Sequence, residues 1–248
     1  MKKYLFITAV LFSLSLTSLT AAYSNNDLAT VIKGGSCPQG DLSGADLSGM
    51  DLTGRDFTGA DFREARLYQT KLDESKLAGA NLKLAQLNQA SFRKAKLDHC
   101  TLEGASAKEA DFTNSDLTYA NLSRAQLHGA KLLNADLRYC NAQEASLDHI
   151  NADYADFSFA NLPYCWMYNA SLKNCVFYAT NLYSAKMHHS SLEEAELRST
   201  KLGEADLRYA KLKKADLELA VLHKTDLRHA DLAYAKITKA IQDETIFK

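Results

Sequence analysis

Beyond its first 22 residues, the sequence contains no hydrophobic run long enough to cross a lipid bilayer. It also lacks an excess of charge of either sign, since 29 Lys and Arg residues stand against 30 Asp and Glu residues. A near-neutral chain gives no electrostatic reason for direct nucleic-acid binding. We therefore expect neither a membrane span in the mature chain nor direct contact with nucleic acid.

The sequence also lacks the motifs that carry most enzyme chemistry. It contains no nucleophile elbow, no phosphate-binding loop and no spacing of residues typical of a metal site. Catalysis needs a pocket with convergent groups, usually supplied by loops, and the uninterrupted repeat described below leaves no room for long loops. We expect no catalytic residue, no cofactor and no metal site, and hence a protein that is not an enzyme.

Residues 1–22, MKKYLFITAVLFSLSLTSLTAA, have the features of a cleaved secretory signal peptide. Lys2 and Lys3 precede an uncharged apolar run, small residues follow it, and no Cys is present to accept a lipid. A retained membrane anchor is the alternative, although the run is short and rich in Ser and Thr. We expect an exported protein, either periplasmic or extracellular.

An apolar residue occupies every fifth position from Leu42 to Ile237, 40 positions in all, without one insertion. We call each of these positions the centre of a pentad, so that residues 40–44 form the pentad of Leu42. Leu fills 28 centres and Phe six, and the residue two places earlier is Ala in 25 of the 40 pentads. A helix repeats every 3.6 residues and a strand every two. A period of five fits neither, so a turn must occur in every pentad.

Glycine indicates the type of turn in the early pentads. Gly44, Gly49, Gly54 and Gly59 follow their centres by two residues, at the position where a type II turn needs a positive φ. Later pentads place Glu, Tyr, His or Asn there. The sequence therefore predicts a different and less regular turn along much of the chain.

If each turn bends the chain by a right angle, four pentads close a coil of 20 residues. Ten coils, spaced like neighbouring strands, then form a rod roughly 48 Å long. Backbone groups would pair between coils, while the centre and the small residue two places before it fill a narrow core.

The A-[D/N]-L-x-x pattern, seen in residues 45–49, 120–124 and 135–139, resembles that of the pentapeptide-repeat family. The resemblance covers residues 40–239. It implies an all-β solenoid, specifically a right-handed quadrilateral β-helix of about ten four-sided coils.

Residues on either side of the repeat resemble the caps of that family. Residues 23–39 look like an N-terminal cap with a short helix, and residues 240–248 look like a C-terminal edge cap. The family has a Cys-x-x-Cys in the N-terminal cap. Here Cys37 is present but Gly40 stands in place of the second Cys, so the resemblance does not supply a cap disulfide.

The family includes proteins that mimic duplex DNA and bind DNA gyrase or topoisomerase IV, which confers fluoroquinolone resistance. Mimicry needs an acidic face, whereas the outward residues of the four faces here sum to about -1, 0, 0 and -2. We therefore expect a structural or protein-interaction rod in the bacterial envelope, with an unknown protein or envelope component as its partner. The DNA mimic and a secreted host-interacting effector are the alternatives.

Five inward residues carry a charge or a thiol. Arg55 holds the only inward charge, and we expect its guanidinium to reach carbonyls at the end of the cap helix, near Gly34 and Gly35. A buried anion site is the alternative. Four cysteines at the small inward position are expected to be free thiols that pack as small apolar residues: Cys100, Cys140, Cys165 and Cys175.

Residues 20 apart should form columns on the surface of the rod. One column is expected to be a structural amide ladder of Asn121, Asn141, Asn161 and Asn181. Another stacks His99, Tyr119, Tyr139 and Phe159, an arrangement that more often stabilises neighbouring coils than binds a ligand.

The most unusual surface lies between residues 157 and 185, where Lys173 is the only charged residue. Exposed aromatic residues poor in neighbouring charge are typical of a partner-binding surface, and they would also allow a homodimer. The alternative is that the rings lie flat on the coil without a partner. We call these candidate partner-binding residues the aromatic belt: Tyr154, Phe159, Tyr164, Trp166, Tyr168, Tyr178 and Tyr183.

Overall fold

The structure, a computed structural model, describes residues 23–247, so the predicted signal segment lies outside the described residues. One α-helix, α1 (Asn25–Ile32), begins this part of the chain. Ser24 caps it by accepting a hydrogen bond from the backbone N–H of Asp27 at 3.3 Å. Between residues 23 and 247 no helix has the length and apolar character that a membrane span requires.

From residue 41 to residue 246 the chain forms one parallel β-bridge position in every pentad, always with the residue 20 positions away. The first bridge joins Asp41 to Asp61 and the last joins Asp226 to Ile246. Four pentads therefore make one coil, and equivalent pentads form four sides along the molecule. We call them sides A, B, C and D, beginning with the pentads centred on Leu42, Leu47, Leu52 and Phe57. Residues 240–246 continue the same path.

The same turn recurs in every pentad, so the prediction of a less regular turn along much of the chain is wrong. The N–H of Ala45 donates to the carbonyl oxygen of Leu42 at 3.1 Å, and equivalent bonds follow along the chain. Two residues after each centre φ is positive, from 70° at Gly44 to 52° at Glu244, although only seven of these residues are Gly. A positive φ there matches a type II turn.

Pairing between coils explains why residues other than Gly accept this conformation. The N–H of Glu64, for example, donates to the carbonyl oxygen of Lys83 in the next coil at 3.0 Å. This bond repeats at equivalent positions and fixes the local backbone regardless of the side chain. Within residues 23–247, none of the non-Gly residues with positive φ is Val, Ile or Thr, the residues for which the left-handed region is most costly.

The core is one continuous column of inward side chains. The pentad centres are almost fully buried from Leu42 to Leu227, with at most 2% exposure. Phenylalanines in neighbouring coils stack on each other, with ring centroids 4.9 Å apart for Phe92 and Phe112. Most inward hydroxyls donate to backbone carbonyls, as Thr70 does to Leu47 at 2.9 Å, and are thus buried with a partner. The Ser115 hydroxyl is the exception among the described inward residues, since it is buried without one.

The expectation for Arg55 is confirmed, with a different carbonyl as its partner. Its Nη1 donates to the carbonyl oxygen of Val31, at the end of α1, at 2.7 Å, and its Nη2 donates to the backbone carbonyl oxygen of Asp51 at 3.0 Å. Leu28 and Val31 are buried against the same end of the core. The guanidinium thus holds α1 against the N-terminal end of the solenoid.

The expectation of free, buried thiols is also confirmed. All five cysteines of the described residues are free and buried. Burial and the nearby charge of Asp136 raise the pKa of the Cys140 thiol to about 12. Cys37 likewise has no disulfide partner, and burial together with Asp27 raises the pKa of its thiol.

Candidate functional site

An Asp or Asn directly before a centre has a structural task, which separates it from residues available to a partner. Asp or Asn occupies this place in 19 pentads, and in 18 of them a side-chain oxygen accepts the N–H of the residue two places later. The exception is Asn161, because Pro163 has no N–H to donate. Most of the acidic columns are therefore engaged in shaping the turn.

Other pentads satisfy the same N–H from the preceding coil. Asp73 accepts the N–H of Arg93 at 2.9 Å, and Asp148 accepts the N–H of Tyr168 at 3.2 Å. Here the carboxylate lies 20 residues before the donor instead of two. Acidic residues on the surface thus again serve the backbone.

The predicted asparagine ladder takes shape over three of its four members. The side-chain amide of Asn161 donates to Asn141 at 3.0 Å, and that of Asn181 donates to Asn161 at 2.9 Å. The Asn121 side-chain oxygen accepts instead from the N–H and the hydroxyl of Ser123. Side A therefore carries an amide ladder through its middle coils.

The aromatic column that shares Phe159 with the belt is a regular stack. Ring centroids are 4.8 Å apart for His99 and Tyr119, 4.9 Å for Tyr119 and Tyr139, and 5.0 Å for Tyr139 and Phe159. The ring planes lie within 4° of parallel. Contacts of this kind stabilise adjacent coils.

The seven residues of the aromatic belt are distributed over all four sides of the solenoid. Phe159 and Tyr178 lie on side D with ring centroids 5.4 Å apart, and Tyr164 and Tyr183 lie on side A with centroids 5.8 Å apart. Both pairs meet edge to face. The other three members are Trp166 and Tyr168 on side B and Tyr154 on side C. The belt therefore surrounds the molecule, and a partner bound to one side cannot contact every ring.

The side-A pair forms a wall of a groove of about 590 Å³, which we call the side-A groove. Gly203 opens it, since a Cβ at this residue would lie only 3.2 Å from the Tyr183 ring. The groove spans four coils, so its lining residues come from four segments about 20 residues apart. The available signal in the sequence was Gly203, which stands 20 residues after Tyr183 in the same column. Its lining residues are Pro163, Tyr164, Asn181, Tyr183, Lys201, Gly203, Val221 and His223.

Side B holds a second, more polar recess. Trp166, 52% exposed, borders a cavity of about 440 Å³ together with His128, Glu144 and Ser146. Two residues further on, the Tyr168 ring packs against the His188 ring, with ring centroids 4.1 Å apart. Burial, with Asp148 and Asp206 nearby, raises the pKa of Tyr168. Tyr168 is thus partly packed, whereas Trp166 is accessible.

Ion pairs balance the charge of the surface. Arg208 donates to both oxygens of Asp206 at 2.8 Å, and it lies 3.7 Å from Asp226 in the next coil. Partial burial favours the neutral acid, but the hydrogen bonds and charge of Arg208 outweigh it and lower the pKa of Asp206 to about 2. Arg208 thus neutralises acids of its own pentad and of the next coil.

Comparison with known sequences and structures agrees with this architecture. A family profile described as "Pentapeptide repeats" matches eight copies, within residues 41–77, 65–104, 95–132, 130–163, 167–198 and 200–238. A search among curated proteins found no match.

Similar solved structures include two pentapeptide-repeat proteins. HetL, described as involved in heterocyst differentiation regulation in the cyanobacterium Nostoc sp. strain PCC 7120, is 27% identical over 91% of this chain and 97% of its own, with a TM-score of 0.41. Full-length QnrB1, described as a plasmid-mediated fluoroquinolone resistance protein, is 19% identical over 77% of this chain and 91% of its own, with a TM-score of 0.50. A trypsin-treated form of QnrB1 gives a TM-score of 0.52.

Proposed function

The chain belongs to the pentapeptide-repeat family, and from this premise we propose that it is a non-enzymatic rod that binds another macromolecule through its aromatic belt. The observation that carries the proposal is the set of exposed rings, including Tyr154 at 61%, Trp166 at 52% and Tyr164 at 48% exposure. Rings of this size lose little conformational entropy on binding and contribute large contact areas. For the solenoid itself we propose the right-handed, quadrilateral form that the family resemblance implies.

We assign the principal contact to the side-A groove. It is concave, and Tyr164, Tyr183, Pro163 and Val221 give it apolar walls. The edge-to-face contact between the two tyrosines holds their rings in a defined orientation, which lowers the entropic cost of binding. Apolar and aromatic residues with a few polar groups at the margin are typical of an interface core.

We further propose that the mature protein is exported to the periplasm or the extracellular space and binds a protein or another component of the envelope. The signal-like segment 1–22 supports export. The mass and N-terminal sequence of the protein recovered from a periplasmic fraction would test it. A chain that retains residues 1–22 in the cytosol would contradict it.

Crosslinking in a periplasmic extract tests the binding proposal. The side-A variant Tyr164→Ser/Tyr183→Ser should lose partner capture, because it removes both rings of the groove wall. Tyr68→Ser/Tyr234→Ser is the matched control, since these tyrosines are also exposed, at 46% and 83%, but lie outside the belt. The control should capture the partner as the unmodified protein does.

A second variant separates the groove from the rest of the belt. If Trp166→Ser/Tyr168→Ser alone abolishes capture, the partner binds side B and the assignment to side A is wrong. If both of these variants and Phe159→Ser/Tyr178→Ser, which removes the side-D pair, capture the partner normally while remaining folded, the proposed function is wrong. Circular dichroism and thermal unfolding of each variant establish that it is folded.

DNA mimicry is the less favoured function. At 19% identity the similarity to QnrB1 concerns the fold, and acidic residues here are paired with bases, as Asp46 is with Arg66 at 3.4 Å and Glu194 with Lys214 at 2.8 Å. Paired charges do not present the acidic surface that a mimic of DNA needs. The purified protein should leave gyrase supercoiling unchanged, and strong inhibition would reverse this ranking.

A further inference from the structure

The C-terminal end of the solenoid carries three metal-ligating side chains close together, which we call the terminal cluster. His223 lies on side A, and Asp243 and Glu244 lie on the next pentad of the same side. One ligand atom from each residue lies within 4.8 Å of the other two. The Nδ1 atom of His223 is 3.1 Å from a carboxylate oxygen of Asp243. The cluster is not evident from the sequence, because its members come from two coils.

The pentad that carries the two acids lacks the usual anchor in the core. Gln242 occupies its centre and is exposed, whereas the equivalent Leu222 of the preceding coil is fully buried. Backbone hydrogen bonds attach this pentad to the preceding coil, including one from the N–H of Lys224 to the carbonyl oxygen of Asp243 at 3.0 Å. An additional link between the two coils would therefore act where the apolar core no longer does.

The donor atoms suit a divalent ion of the zinc class. Imidazole nitrogen and carboxylate oxygens are common ligands of Zn²⁺, whereas Ca²⁺ and Mg²⁺ prefer oxygen alone. His223 also borders the side-A groove. Water could reach a bound ion through this groove and complete its coordination. The ammonium of Lys224, 3.8 Å from Glu244, competes with a metal ion for that carboxylate.

From this arrangement we propose that His223, Asp243 and Glu244 bind one Zn²⁺-class ion that fastens the last side-A pentad to the coil before it. The proposal does not rest on the partner-binding function: His223 also borders the side-A groove, but the site is defined by its ligand atoms, and Zn²⁺ binding to the purified chain tests it without a partner.

Titration calorimetry of the full chain with Zn²⁺ tests the site. We expect one saturable site per chain, weakened about tenfold or more by His223→Gln or Asp243→Asn, as the loss of one of three ligands requires. Lys224→Gln should tighten binding severalfold because it removes the competing cation. His229→Gln is the control, since this ring stacks on Tyr209 at 4.7 Å and lies outside the cluster; its affinity should match that of the unmodified chain.

Amide hydrogen exchange provides a second readout. Zn²⁺ should slow the exchange of residues 240–247 in the unmodified chain and not in His223→Gln. Absence of saturable binding, equal affinity in His223→Gln and the unmodified chain, or a preference for Ca²⁺ over Zn²⁺ would overturn the site. Binding that leaves exchange at residues 240–247 unchanged would overturn the proposal that the ion holds the last side-A pentad against the coil before it.

Discussion

At the scale of single residues, backbone hydrogen bonding explains why Asp or Asn so often precedes the leucine. In residues 61–65, four of the five N–H groups donate to carbonyl oxygens within the turn or in neighbouring coils, at 2.7 to 3.0 Å. The remaining N–H, that of Arg63, donates to the side chain of Asp61 at 3.0 Å. Each pentad thus leaves one donor for a side chain to satisfy, and a short carboxylate or amide reaches it.

Asp116 provides a test of this role. Its Oδ1 accepts the N–H of Thr118 at 3.0 Å and the Thr118 hydroxyl at 2.7 Å. Asp116→Ala should lower the free energy of unfolding by about 1 to 2 kcal/mol, because the N–H loses its acceptor. Asp116→Asn keeps the acceptor and should stay close to the unmodified protein in denaturant unfolding. Equal losses in the two variants would show that charge, not hydrogen bonding, matters at this position.

The positive φ of the turn predicts the effect of substitution at Ala179, where φ is 54°. Ala179→Gly should stabilise the protein by about 0.5 to 1 kcal/mol, since glycine avoids the steric cost of the left-handed region. Ala179→Val should destabilise it, because a β-branched residue is an outlier there. Thermal unfolding of the two variants checks this, and a more stable Val variant would contradict the turn geometry.

Asp206 should contribute to the acid sensitivity of the protein. Its pKa is lowered to about 2 in the folded state against an ordinary value near 3.9. The stabilisation from ionised Asp206 is therefore complete above about pH 4 and is lost as the pH falls towards 2. Asp206→Asn should be less stable than the unmodified protein at pH 6 and approach it near pH 2. A difference that stays constant across this range would exclude the ion pair as its cause.

The inward residues were predictable from the sequence because the period of five has no insertion. Leu42 and the other centres up to Leu227 are buried as expected. The turn was not predictable from glycine alone. Glu109 and Tyr119 adopt φ values of 58° because hydrogen bonds to the next coil override the local preference. The informative signal was the absence of Val, Ile and Thr from this place in every pentad.

At the scale of the elements, the two ends of the solenoid differ. Helix α1 covers the N-terminal end, where Val31 is fully buried. At the other end Leu232 and Ile237 are only partly buried, and Ile241 is 56% exposed. Strand edges without a partner invite association, so the C-terminal end is the less protected one.

Arg55 should control how firmly α1 is held. Arg55→Met removes the bond to the Val31 carbonyl and leaves that oxygen without its charged donor, which should cost about 1.5 to 3 kcal/mol. Amide exchange within α1 should accelerate accordingly. Arg63→Met is the control, because Arg63 pairs with Asp61 on the surface and such pairs contribute little. Unchanged exchange of α1 in Arg55→Met would contradict the fastening role.

The sequence indicated that Arg55 would reach the end of a helix, because a lone inward charge beside a predicted cap has few other partners. It could not identify the Val31 carbonyl, since that depends on where α1 ends, and α1 ends at Ile32. Local hydrogen bonding and packing against the first coil determine that end, and neither has a signature in the repeat.

At the scale of the whole molecule, the 20-residue register brings distant residues together. Columns such as Asn141, Asn161 and Asn181 followed directly from counting, whereas the side-A groove depends on the absence of a side chain at Gly203 and on the orientation of the Tyr183 ring. Those features depend on rotamers and neighbours in four coils. The sequence thus indicated where the aromatic residues concentrate but not how they divide among the sides.

The four-sided coil requires pairing between residues 20 positions apart. Pulsed electron–electron double resonance measures this pairing directly. Pairs of spin labels on side C join residue 131 to residue 191, 211 or 231. Three, four and five coils separate these pairs, so the Cα distances should be about 14, 19 and 24 Å, increasing by one strand spacing per 20 residues. Distances that do not increase in these equal steps would contradict the coil.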